Sequence, residues 1–545
     1  MAGINRRSVI KGGVGAAGGA ALAGAAASRA TAAESGFRPL EGGTLPSPVS
    51  VTADDARYEE LVRGINQRWV AQPEAVRLVS STEQVLQVVQ EAASAGKRVS
   101  VRSGGHCFAD FVYNAQTQVV IDLSTMNRIS YDASRRAFCI EAGAQLGQIY
   151  ETLYRDFGVT LPGGVCPSVG IGGHATGGGF GLLTRQHGLV ADYISAVEVV
   201  VVDSRRRART VVACRNASDT NHDLWWAISG GGGGSFGVIT RYWFRSPDAA
   251  GSDPAAQLPA PPKSVLLSSV AVPWATLSED QFVRLLNNYT DWYRNNSEPG
   301  SDALGLSGII LARQRAGGGM ALVTQVDGGL PDAAGFLADY GAEITAGTGI
   351  TTPFAGRPLA WLTASKLLPI SAATSMMDPS LRSAIKTVWT KTGFTDDQLA
   401  TIYQQLLRTD YSNANSFAQI AGAGGRMNEL SRTATATAHR DEVLFAEFEA
   451  QWTSPAEDEA NLTWLRELYA AVFADTGGYP VPGDRFDGCY VNNPDTDIAD
   501  PAYNTSGVPW YTLYWGENYP RLQQVKKAYD PTDFFRHAQS VRLPS

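Results

Sequence analysis

Apolar positions along this chain switch repeatedly between a period near four and a period of two, so helices and strands are expected to alternate throughout. Thr82–Ala95 has helical spacing with Thr82 as N-cap, and Leu146–Phe157 forms a second helix ending at Gly158. Strands are expected at Arg98–Val101, Gln118–Leu123, Phe138–Ala142, Ile194–Val202 and Val238–Phe244. From Ser246 to Lys263 the pattern breaks into a Pro-, Ala- and Asp-rich connection, which marks a boundary. Beyond it, strands at Leu304–Leu311 and Met320–Val326 alternate with helices at Asp280–Tyr293 and Asp397–Arg408. In Val443–Gln451 the residues alternate strictly, which puts Glu447 and Glu449 on one face of a strand. The pattern is that of an α+β protein whose second half is a sheet covered by helices.

Glycine interrupts this pattern most strongly between 163 and 189, where ten of 27 residues are Gly. Each glycine inside a regular element costs roughly 0.5–1 kcal/mol relative to alanine. The segment therefore reads as backbone pressed against something flat or anionic, with Cys166 at its entrance. Two further glycine-rich turns lie at Arg102-Ser103-Gly104-Gly105-His106 and at Ser229–Gly237. The first has the form of a nest of backbone N–H groups for phosphate oxygens. Gly232, Gly234 and Gly237 match a dinucleotide-binding glycine pattern, but a Trp-rich helical stretch precedes them and a strand follows. That order is the reverse of what the pattern requires, so a second backbone contact with a cofactor is expected instead.

The 545 residues carry 44% hydrophobic and 18% charged side chains and a net charge of −8, which fits a globular protein of more than one folding unit. The acidic balance argues against a nucleic-acid surface or an anionic membrane as partner. Asn5-Arg6-Arg7-Ser8-Val9-Ile10-Lys11, a weakly apolar Gly/Ala run and Ala30-Thr31-Ala32 form a twin-arginine signal, so residues 1–32 are expected to direct export from the cytoplasm. The five cysteines and six histidines show neither paired nor metal-ligand spacing, so no disulfide is assigned and no metal site is expected.

Six stretches, in order, resemble the FAD-linked oxidoreductases of the berberine-bridge-enzyme type, within the vanillyl-alcohol-oxidase superfamily. They are Val101–His106 (VRSGGH), Cys166–Gly181 (CPSVGIGGHATGGGFG), Gly230–Thr240, His439–Trp452, Tyr490–Asp495 (YVNNPD) and Tyr529–Phe535 (YDPTDFF). The resemblance implies a two-part FAD-binding domain over 50–248, an α+β substrate domain over 264–485, and a C-terminal segment, 486–545, returning to the FAD domain. It implies FAD joined to both His106 and Cys166. The remaining flavin contacts would come from Arg102, Ser103, Gly104, Gly105, Cys107, Leu123, Ser124, Val169, Gly170, Gly172, Gly173, His174, Gly177, Gly178, Gly181, Gly237, Val238, Ile239, Tyr490 and Asn492. Tyr490 matches the family's catalytic base, and Glu447 falls where relatives carry a catalytic or tyrosine-tuning Glu or Gln. Tyr490 with Glu447 would therefore deprotonate the substrate, with Glu449 on the same face as the other carboxylate that could assist.

Phe108, Phe180 and Asn493 replace aromatic hydroxyl-bearing or aromatic residues of relatives, leaving Tyr490 as the main phenol of the site. Val169 stands where the family controls oxygen access, and valine there goes with O2 as acceptor. The expected activity is removal of a hydride from an alcohol or hemiacetal carbon of a sugar or glycosylated metabolite, with O2 reduced to H2O2. The partners would be a small-molecule substrate and O2, with oligomeric state left open. Oxidative cyclisation or dehydrogenation by the same flavin, or a flavoprotein without turnover, are the other readings.

Overall fold

The computed structural model describes residues 47–372 and 378–545, so the signal assigned to residues 1–32 lies outside the described residues. Three sheets organise the described residues. The first comprises β1 (Val49–Val51), β2 (Ala75–Leu78), β3 (Val99–Arg102) and β4 (Val119–Asp122) in the order β1-β2-β4-β3. Its β2, β4 and β3 run parallel, joined through crossovers that include the helix Thr82–Ala95. That helix is capped by Ser81, whose hydroxyl accepts from the Gln84 N–H, so Thr82 is its first residue rather than its cap. The reason is conformational: Ser81 keeps extended backbone angles, which the cap position requires.

The second sheet is antiparallel: β5 (Ile129–Asp132), β6 (Ala137–Glu141), β7 (Ile194–Val202), β8 (Ala208–Cys214) and β9 (Val238–Phe244), ordered β5-β6-β9-β7-β8. Between β6 and β7 lie the helix Leu146–Phe157, closed by left-handed Gly158, and the glycine-rich segment.

The third sheet has seven antiparallel strands: β10 (Ser264–Pro273), β11 (Leu306–Arg313), β12 (Gly319–Asp327), β13 (Arg357–Ala360), β14 (Arg382–Thr390), β15 (Ser416–Gly422) and β16 (Leu444–Trp452). Their order is β13-β10-β12-β11-β15-β16-β14. Period-two alternation divides its residues between two environments. Helices Glu279–Asn295, Asp396–Leu406 and Asp458–Val472 cover one face, where Phe448 meets Tyr469 edge-on. The opposite face, with Ser307, Gln419, Phe445, Glu447 and Glu449, is turned to a cavity. None of the described helices is long and apolar enough to cross a membrane.

Two buried lysines fix the loops that reach this cavity. Lys526, on the helix Tyr519–Tyr529, donates to the carbonyls of Ser235 and Phe535 at 2.7 and 2.6 Å and pairs with Asp530 at 2.7 Å. It thereby ties the C-terminal segment to the 229–237 turn. Lys386 on β14 pairs with Asp495 at 2.7 Å and Asp497 at 3.1 Å, holding the loop that follows Tyr490. Desolvating a lysine is costly unless its donors and charge are all met, and here both conditions hold.

Candidate active site

A cavity of about 440 Å³ lies between the glycine-rich turns and the open face of the third sheet. The turn after β3 and the segment after Cys166 meet at its floor. A Cβ on Gly104 would stand 2.3 Å from the Gly170 nitrogen, so side chains would force the two apart. The Ala142 carbonyl accepts from both sides, from Ser103 Oγ at 2.6 Å and from the Gly172 N–H at 3.0 Å. Arg102 pairs with fully buried Asp122 at 2.7 Å, which fixes the start of the turn.

His106 and Cys166, sixty positions apart in sequence, share one neighbour, Ser168. Its Oγ lies 2.8 Å from His106 Nε2 and 3.8 Å from Cys166 Sγ. Burial and the Arg102 guanidinium push the His106 imidazole down to about 4, so it is neutral at physiological pH. Burial raises the Cys166 thiol, while hydrogen bonds from Ser168 lower it. All five cysteines are free.

Tyr490, from the other end of the chain, sits on an aromatic wall. Its ring meets Trp389 and Phe445 edge-on, each at 5.6 Å, and Phe180 packs against both of those rings. The phenol oxygen accepts from the Gly179 N–H at 3.1 Å and from Asn492 Nδ2 at 3.0 Å. Gly179 has φ +79°, and a Cβ there would stand 2.7 Å from Val190, so this donor geometry requires glycine. Burial raises the phenol to about 12, and these donors oppose that shift because they favour the phenolate. Behind the wall, Trp389 stacks on His439, which gathers with Glu442 and Asp487 within 4.8 Å. Arg432 engages both carboxylate oxygens of Asp487, so a cationic side chain already serves this group.

Glu447 accepts from Gln419 Nε2 at 2.7 Å and Asn493 Nδ2 at 3.2 Å, and Glu449 from Gln451 at 2.8 Å. No hydrogen bond joins either carboxyl to Tyr490. Burial raises Glu447 to about 7; burial and then the Glu447 charge raise Glu449 to about 8. A folded protein holding protons that its unfolded chain releases above about pH 4.5 loses stability as pH rises. The pair should therefore cost nothing below pH 4.5, progressively more between pH 4.5 and 8, and on the order of a few kcal/mol above that. Glu449→Gln keeps the shape and the Gln451 contact, so it should raise Tm by several degrees at pH 9 and leave it unchanged at pH 4.5. Equal shifts at both values would contradict this titration.

Most residues expected from the sequence line the cavity: Arg102 to Cys107, Leu123, Cys166, Val169, Gly170, Gly172, Gly173, His174, Gly181, Gly237, Ile239, Glu447, Tyr490 and Asn492. Ser124, Gly177, Gly178 and Val238 do not. The Ser124 N–H caps Asp122 at 2.8 Å, Gly177 makes room for Asn492, Gly178 turns the chain at φ +109°, and Val238 points into the core. Gln419, Asn493, the 231–235 turn and His537 also line the cavity, Ser168 joins His106 and Cys166, and His537 Nε2 lies 3.0 Å from the Gly233 carbonyl.

The residues fit FAD. The N–H groups of Gly104, Gly105 and His106 have no acceptor among the described residues, which leaves three successive donors for phosphate oxygens. A Cβ at Gly173 would enter open cavity, leaving a flat surface for a ring system. Comparison with known proteins gives the same answer. Residues 73–207 match the family described as "FAD binding domain", and residues 489–542 the family described as "berberine and berberine like". Aclacinomycin-N/aclacinomycin-A oxidase of Streptomyces galilaeus is 45% identical over 92% of this chain and 91% of its own length. Two solved structures cover 92% of this chain and their own full length. CrmK, a flavoenzyme of caerulomycin biosynthesis, is 45% identical with a TM-score of 0.89, and the glycopeptide hexose oxidase DBV29, complexed with teicoplanin, is 43% identical with a TM-score of 0.86. The fold and site define an FAD-dependent oxidoreductase. The chain belongs to the berberine-bridge-type FAD-linked oxidoreductases of the vanillyl-alcohol-oxidase superfamily.

Proposed function

We propose that the protein is an oxidase that converts an alcohol or hemiacetal carbon of a sugar or glycosylated secondary metabolite to the carbonyl level, reducing O2 to H2O2. The observation that carries this reading is the Tyr490 oxygen, which lies on the cavity wall with two N–H donors aimed at it. A phenol so placed takes the substrate hydroxyl proton as the carbinol carbon loses its hydride, and the donors stabilise the charge it carries before transfer. His106 and Cys166 would hold FAD covalently, and the N–H groups of 104–106 would hold its phosphates. FAD, when bound, accepts the hydride and delivers both electrons to O2.

Glu447, anchored by Gln419 and Asn493 and two residues from Phe445 on the same face of β16, orients the substrate on the sheet wall of the cavity. Phe180, Phe445 and Ile309 give that wall the apolar area a bulky glycoside needs. The relatives named for aclacinomycin and for glycopeptide hexose support this substrate class.

Purified protein should release peroxide from such glycosides in air with no added acceptor. Val169→Leu should narrow the cavity beside Cys166, cutting peroxide release about tenfold or more while turnover with a dye acceptor persists. Turnover that always requires the dye, in the parent protein, would make it a dehydrogenase.

A further inference from the structure

Several buried acidic side chains of the molecule have a basic side chain beside them: Asp122 meets Arg102, Asp530 meets Lys526, Asp495 meets Lys386, and Glu442 has His439 at 4.0 Å. Glu447 and Glu449 break that pattern. They stand two residues apart on β16, both face the cavity, and among the described residues no Lys, Arg or His comes within 4 Å of either. Of the two arginines on the cavity wall, Arg102 is committed to Asp122, and exposed Arg536 donates to the Asp533 carbonyl. Glu449 is only 4% exposed, and its Oε2 receives no donor from any described residue.

Two neighbouring carboxylates in a low-dielectric wall repel each other and lose hydration, and neither cost is offset by the protein itself. A positive charge delivered from the cavity would offset both. A divalent metal suits the position poorly, because amide N–H groups of Gln419 and Asn493 already point at both oxygens of Glu447. An ammonium group, with three N–H donors and no need for a cage of oxygens, suits it well.

We propose that Glu447 and Glu449 form a subsite for a protonated amine, so that the substrate class is narrowed to amine-bearing alcohols such as aminosugar glycosides. The proposal rests on the oxidase reading and adds to it a charge requirement. Glu449 is the specificity-determining member, because its free oxygen faces the cavity. The ammonium would be held on the β16 wall of the cavity while the hydroxyl is presented to the phenol oxygen.

Titration calorimetry of the flavin-loaded enzyme with methyl α-glucosaminide and methyl α-glucoside isolates the charge, since –NH3⁺ replaces –OH on one ring. The aminosugar should bind at least tenfold more tightly, and the preference should fall below threefold in Glu449→Gln. Equal affinities, or no detectable binding of either sugar, overturn the proposal. So does a preference that survives in both Glu449→Gln and the Glu447→Gln/Glu449→Gln double variant. Displacement of the aminosugar by millimolar Ca²⁺ alone would assign the site to a metal and also overturn it. Peroxide release from neutral glycosides with both sugars bound alike would sink the amine subsite alone. A flavin-loaded enzyme that yields no peroxide from any alcohol would sink the oxidase reading instead.

Discussion

Tyr490→Phe should lower kcat on the alcohol substrate by about 10³-fold, within the range that a positioned general base contributes, while the bound flavin keeps its absorbance spectrum. The ring remains packed against Trp389 and Phe445, so the loss isolates the oxygen. Because the base acts in its deprotonated form, kcat/KM should rise with pH along a limb set by the phenol, which burial places near 12. Asn492→Leu removes one of two donors to that oxygen, so it should move the limb to higher pH and lower activity at pH 7 about tenfold. Stopped-flow flavin reduction, with brief pH jumps that carry the series from pH 6 to about 12, reads both effects. An unchanged rate of flavin reduction in Tyr490→Phe would assign proton removal to another group. A structural role for Tyr490 alone would not move the pH limb in Asn492→Leu.

The elements that periodicity defines well appear close to where the sequence puts them, including the helix closed by Gly158 and the alternation that gives Glu447 and Glu449 a common face. Local signals carry these, since each depends only on residues within a few positions. The motif resemblance reaches further, to His106, Cys166 and Tyr490, because each sits in a short stretch distinctive by itself.

What the sequence did not disclose depends on pairings across hundreds of positions. Ser168 looks like an ordinary turn residue until the two glycine turns meet and set its hydroxyl between His106 and Cys166. Asn492 and the Gly179 amide become donors to Tyr490 only when the segments around 179 and 490 are packed together. Gly177 fell inside a glycine run that reads uniformly as cofactor contact, yet its missing Cβ serves the Asn492 side chain. The same glycine composition thus covers two demands, close approach to a ligand and close approach to another part of the chain. Only the partner's position separates them.

His106→Ala and Cys166→Ala should each leave flavin attached through the remaining side chain, whereas the double variant should release all of it in denaturant. The two groups differ chemically, which makes the singles informative. The His106 ring is neutral, so one of its nitrogens carries a lone pair, and in the tautomer whose Nε2–H donates to Ser168 that nitrogen is Nδ1. The Cys166 thiol is raised by burial and depends on Ser168 hydrogen bonds to favour its thiolate, the bonding form. Cys166 attachment should therefore be the slower of the two at neutral pH and the more accelerated by alkaline incubation. In the native double variant, the N–H groups of 104–106 and the 231–235 turn still hold flavin without a bond, so native protein stays yellow and loses colour on dialysis. Flavin fluorescence on a denaturing gel, with peptide masses around 106 and 166, measures each link. If one single variant releases all of its flavin, there is only one bond. If the double variant retains flavin in denaturant, the attachment lies elsewhere.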